Sequence, residues 1–124
     1  MRRQDVNHPT PLYEVKAEFF KALGHPSRIR VLELLSSGQK SVSELLPLVG
    51  INPPHLSQQL AILKRAGLVQ TQREGTSIFY SLAFPELIDV LAVARRVLID
   101  VLAERAGLLV DLQASAPLPY PGEL

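Results

Sequence analysis

Ser41-Val42-Ser43-Glu44-Leu45-Leu46-Pro47-Leu48-Val49-Gly50-Ile51-Asn52-Pro53-Pro54-His55-Leu56-Ser57-Gln58-Gln59-Leu60-Ala61-Ile62-Leu63-Lys64-Arg65-Ala66-Gly67 is the stretch that decides the fold. Ser41 and Glu44 have the spacing of a capping box, in which each side chain satisfies the other's free backbone N–H. Leu45, Leu46, Leu48 and Val49 then give a short apolar helix, and Gly50 closes it. After a tight turn, Asn52 caps a second helix with Pro53 in its first position. Leu56, Leu60 and Leu63 form that helix's buried stripe, and Gly67 terminates it. A short helix, a tight turn and a second helix make a helix-turn-helix.

Upstream, Leu12, Val15, Phe19, Phe20 and Leu23 recur at helical spacing, and Gly24 stops that helix. Pro26 opens another, carrying Ile29, Val31, Leu32, Leu34 and Leu35 to about Ser36. Downstream, the period changes. Leu68–Arg73 and Thr76–Leu82 are β-prone runs around the turn signal Glu74-Gly75, which predicts a two-stranded hairpin. A last helix is expected from about Pro85 to Leu112. Its seam is Leu87, Leu91, Ala94, Leu98, Val101, Leu108 and Leu112, broken at Arg105. That is more apolar surface than one small domain covers, which points to a partner helix. The expected fold is therefore mostly α with a small β-hairpin, a winged helix-turn-helix. Residues 1–11, with Pro9 and Pro11, read as a flexible arm, residues 12–112 as the folded domain, and the proline-rich residues 113–124 as a tail.

Composition limits the function. The 124 residues suit one domain, and 47% hydrophobic content supplies a core. Net charge is only +1, so a nucleic-acid surface needs local clustering; between Asn52 and Leu82, Lys64, Arg65 and Arg73 face one anion, Glu74. There is no cysteine, which excludes disulfides, thiolate metal sites and thiol sensing. The basic start at Arg2 and Arg3 has no apolar run behind it, so no signal peptide is expected. Seven charges after Glu86 make a membrane span of the last helix implausible.

In a helix-turn-helix the second helix lies in the major groove. The face opposite Leu56, Leu60 and Leu63 holds Pro54, His55, Ser57, Gln58, Ala61, Ile62 and Arg65, with Gln59 on the flank. Gln makes a bidentate contact to adenine, and Ser bonds base edges or phosphate. Lys64 and Arg65 suit phosphates, as do the free N–H groups expected at the helix start. In the hairpin, Arg73 and Thr76 are placed against the DNA backbone or minor groove, with Glu74 pointing away. Each feature also has a plainer reading. The glutamines suit a solvated face, His55 a helix terminus, His25 a cap, and Arg28 and Arg30 either structure or phosphate clamps.

The ordered set resembles the bacterial ArsR (ArsR/SmtB) family of winged-helix repressors. The matching residues are Ala22-Leu23-Gly24-His25-Pro26-Ser27-Arg28-Ile29-Arg30-Val31-Leu32, then Ser41–Leu46, Leu56–Val69 and Arg73–Tyr80. The resemblance implies a homodimer built on the first and last helices, with Leu12, Val15 and Phe19 joining Leu87, Leu91, Ala94, Leu98, Val101 and Leu108. It implies repression through a palindromic operator, relieved by metal in the family's sensors. This chain departs from those sensors. Their Cys-Val-Cys motif falls on Ser41-Val42-Ser43, and Ser is a poor ligand for soft metals. Their last-helix site needs an Asp-x-His pair, whereas Asp89 is followed by Val90 and Leu91, and no His lies beyond His55.

The sequence thus leads to a cytoplasmic, homodimeric, double-stranded-DNA-binding repressor without enzymatic chemistry, cofactor, metal site or membrane partner. The alternative is a winged-helix protein-interaction module that does not touch DNA. The signal stays open between a small-molecule effector, a metal held by carboxylates such as Asp89, Asp100 and Glu104, and none.

Overall fold

The computed structural model describes residues 9–115. Its elements are α1 (Leu12–Leu23), α2 (Pro26–Leu35), β1 (Lys40–Ser41), α3 (Val42–Val49), α4 (Pro53–Arg65), β2 (Val69–Glu74), β3 (Ser77–Leu82) and α5 (Glu86–Ser115). They fall into two units, the first ending at Ile88 and the second beginning at Asp89 within α5.

Local chemistry accounts for the helix boundaries. His25 caps α2, its Nδ1 accepting from the Ser27 N–H at 3.1 Å. Ser41 Oγ accepts from the Glu44 N–H at 3.2 Å, and the Ser41 N–H donates to Glu44 Oε1 at 2.8 Å, so the capping box is closed on both sides. Pro47 inside α3 forfeits one helical hydrogen bond. The helix ends two residues after it, at Val49, and is capped by Gly50, whose φ of +78° is open to glycine at little cost.

The sheet has three antiparallel strands in the order β1-β3-β2, not the two of the expected hairpin. Lys40 pairs with Tyr80 and Ser41 with Phe79, so β1 covers the free edge of β3. Two residues are too few to show a period of two, and Ser41 also serves as the cap of α3. The hairpin turn is Gly75-Thr76, one residue later than the turn signal, with Glu74 still paired to Ser77. Gly75 takes φ +65° at the first loop position, as primed hairpin turns require.

The core of the first unit is Val31, Leu32 and Leu35 from α2, Leu45 from α3, Leu56, Leu60 and Leu63 from α4, and Leu68 and Val69 entering β2. Leu23 and Leu87 join it from α1 and the start of α5. This is the helix-turn-helix stripe read from the sequence. The helix α5 continues to Ser115, past the boundary expected at residue 112. The remaining expectations for the arm and the tail fall on residues 1–8 and 116–124, outside the described residues.

Two outcomes follow. Leu60→Ala should lower unfolding free energy by about 2–5 kcal/mol in urea denaturation, because its side chain is fully enclosed. The Glu44 carboxyl is held below its ordinary range, chiefly by the Ser41 backbone N–H and then by the Ser41 hydroxyl. A carboxylate so lowered stabilises the fold above its unfolded-state value and loses that effect as pH falls through its folded-state value. The stability gap between wild type and Glu44→Ala should therefore be present at neutral pH and narrow on acidification below the carboxylate range.

Candidate nucleic-acid interface

The α4 helix turns one face into the core and leaves the other open. Pro54, His55, Ser57 and Gln58 are all exposed on it, with Lys64 and Arg65 exposed at its C-terminal end. Arg73 and Thr76 are exposed at the tip of the hairpin. Ala61 and Ile62 are half-buried. Lys64 Nζ donates to Thr71 Oγ1 at 3.2 Å, which ties the end of α4 to β2. Glu74 Oε2 accepts from Gln39 Nε2 at 3.5 Å, a bond directed towards the residue before β1.

Gln59 departs from expectation. It is 8% exposed and lies inside, not on the flank of the reading face. The reason is helical arithmetic: Gln59 is three residues after Leu56 and four before Leu63, so it belongs to the buried stripe. Its Oε1 accepts from Arg28 Nη1 at 2.8 Å. The same guanidinium donates through Nε to the Ala22 carbonyl at 2.6 Å and through Nη2 to the Lys21 carbonyl at 3.2 Å. Arg28 thus joins the last turn of α1 to the middle of α4, and its reading as structure is the one the geometry bears out. Arg30 donates to the Leu48 carbonyl at 3.4 Å.

The start of α4 also departs from expectation. The sequence reading expects free phosphate donors among its first-turn amides, but Pro53 and Pro54 have none. The His55 N–H donates to Asn52 Oδ1 at 3.0 Å and the Leu56 N–H to the Asn52 carbonyl at 3.1 Å. An anion at this end must therefore be met by side chains.

Among the candidate dimer residues, Leu12, Val15, Ala94, Leu98 and Leu108 are exposed, and Phe19, Leu91 and Val101 are half-buried. Leu87 does not fit that role. It is 4% exposed, because the first turn of α5 closes the core of its own domain. Val15 and Phe19 line an apolar groove of about 570 Å³ with Ala22, Ile62 and Ala66. Ser41 Oγ is occupied as a helix cap and lies 3.0 Å from Ser43 Oγ. Among the described residues no three His, Asp or Glu side chains group to hold a metal ion.

Residues 25–71 match the bacterial regulatory protein, arsR family. A relative named as an HTH-type transcriptional regulator, Rv0081 of Mycobacterium tuberculosis, is 53% identical over 106 residues, covering 85% of this chain and 93% of its own length. The chain belongs to the ArsR family. The crystal structure of Rv0081 superposes with a TM-score of 0.73, at 52% identity over 79% of this chain and 99% of that one. A winged helix-turn-helix DNA-binding domain from Mycobacterium bovis, Mb0332, described as homodimeric and possibly of the ArsR family, gives a TM-score of 0.67. It is 31% identical over 75% of this chain and 86% of that one. The biofilm growth-associated repressor of Agrobacterium fabrum is 43% identical over 79 residues, 60% of this chain and 68% of the relative. The winged helix-turn-helix expectation therefore holds, as does the family resemblance. ArsR proteins are transcriptional regulators, a class without enzymatic activity.

The two adjacent glutamines should separate in the test tube. Gln59→Ala leaves Arg28 Nη1 without its acceptor, while Nε and Nη2 keep theirs, and should lower unfolding free energy by about 1–3 kcal/mol. Gln58→Ala, on the open face, should stay within about 0.5 kcal/mol of wild type. Denaturant titration of the two variants checks this.

Proposed function

We propose that this ArsR-family chain is a homodimeric repressor that reads a palindromic operator in double-stranded DNA with the exposed face of α4. The observation that carries the reading is that face itself. His55, Ser57 and Gln58 stand in the open on a helix whose opposite side is fixed in the core and clamped through Gln59 to Arg28. Such a helix presents its side chains to a groove without first having to be ordered. Ser57 and Gln58 are assigned to base edges, with Pro54 and His55 beside them at the helix start. Lys64, Arg65, Arg73 and Thr76 are assigned to the backbone on either side.

Homodimerisation is proposed through α1 and α5, which carry unpartnered apolar side chains: Leu12 at 67% exposed, Leu98 at 57% and Leu108 at 59%. No helix among the described residues is long and apolar enough to cross a membrane. The proposed site of action is the cytoplasm, and any effector is taken to be a small molecule and not a metal bound at the Cys or His positions of the family's sensors.

Titration of the chain with duplexes selected from a random-sequence pool tests the reading. Gln58→Ala should lose about 1–3 kcal/mol against its preferred base and relax selectivity there. Arg73→Ala should weaken binding to all sequences alike and reduce the salt slope by about one. Absence of any duplex binding at low salt would favour the protein-interaction module instead.

A further inference from the structure

Beside the start of α4 lies a small cleft of about 300 Å³, bordered on one side by the base-reading Gln58. It is lined by His25, Ser27, Ile51, His55, Gln58 and Gln59. Two features of its wall point to an anion. First, Gln59 is 8% exposed, and Arg28 can only donate, so the atom facing Arg28 at 2.8 Å is the carbonyl oxygen of the amide. The NH2 of Gln59 is directed elsewhere, and among the described residues it has no acceptor. A buried donor of this kind calls for one. Second, His25 Nδ1 accepts from the Ser27 N–H, which leaves Nε2 as the nitrogen that carries the ring proton. The remaining polar lining, Ser27, His55 and Gln58, supplies further donors, and no carboxylate is among these residues.

We propose that this cleft seats one DNA backbone phosphate, held by the Gln59 amide and the His25 and His55 rings. The proposal rests on the DNA-binding reading above and adds a contact to it. It gives Gln59 a role that a buried residue can fill: it reads no base but meets the backbone from the side while Arg28 holds it. It also supplies at this end of α4 the donors that Pro53, Pro54 and the Asn52 cap remove from the helix backbone. Phosphate contacts fix register without reading sequence, so this one would set how deeply α4 enters the groove.

The test uses the full chain and a selected duplex remade with one backbone phosphate at a time replaced by a neutral methylphosphonate. Wild type should lose about tenfold in affinity at one position per half-site, the equivalent of a hydrogen bond to a charged group. The double variant His25→Asn, His55→Ala keeps an acceptor for the Ser27 N–H. It should bind the intact duplex about tenfold more weakly and lose its sensitivity at that position alone. Its melting temperature reports whether the cap is kept; should it melt early, His55→Ala alone must show the same selective loss in part. Sensitivity equal to that of wild type at every position overturns the proposal. A second arm follows the Gln59 side-chain amide by NMR during titration with inorganic phosphate at fixed ionic strength, against chloride. Saturable shifts with phosphate in a chain that binds no duplex would overturn the DNA reading and assign the cleft to a free phosphate. No shift in that arm, together with no position-selective loss in the first, overturns the site itself.

Discussion

One side chain ties α4 to the end of α1. Arg28 presents a planar fork of donors. One arm takes the Gln59 amide oxygen, and the other two take the carbonyls of Ala22 and Lys21 at the end of α1. The Ala22 carbonyl, in the last turn of α1, has no partner within the helix and is satisfied by the guanidinium, while the Lys21 carbonyl also accepts from the Gly24 N–H at 3.2 Å. A lysine would bring charge to the same place but not the fixed fork. The apolar stripe of α4 drives it into the core, yet such contacts are non-directional. The Arg28–Gln59 bond adds direction, locking the rotation of the helix that presents Ser57 and Gln58.

Most of this fold is legible in the sequence because its helices are marked at both ends. Asn52-Pro53 and Ser41-x-x-Glu44 are chemical signals for starts, and Gly50 and Gly67 for stops. The features without a local signal are short or depend on tertiary pairing. The strand β1 has two residues and exists only because β3 lies alongside. The burial of Gln59 was within reach: its spacing from Leu56 and Leu63 places it on the inner face, but its polarity suggested the outer one. Its partner Arg28 lies 31 residues away, and no local pattern pairs them. Leu87 was likewise drawn into the apolar seam of α5 by its period, while the core claims it first. The spent amides at the start of α4 follow from Pro53, Pro54 and Asn52, and were a matter of counting donors.

Ser41 is committed to the fold: it caps α3, and its hydroxyl accepts from the Glu44 N–H. What the chain does offer outside the reading face is apolar: the open side chains of α1 and α5, which suit association with a second copy.

The central claim is that the outer face of α4 enters DNA. Backbone and side-chain NMR shifts recorded while a selected duplex is added to the full chain test it directly. The account predicts that the largest changes fall on His55, Ser57 and Gln58, with a second group at Arg73 and Thr76. A duplex that binds tightly while leaving α4 unmoved, its shifts gathered on other elements, would contradict it.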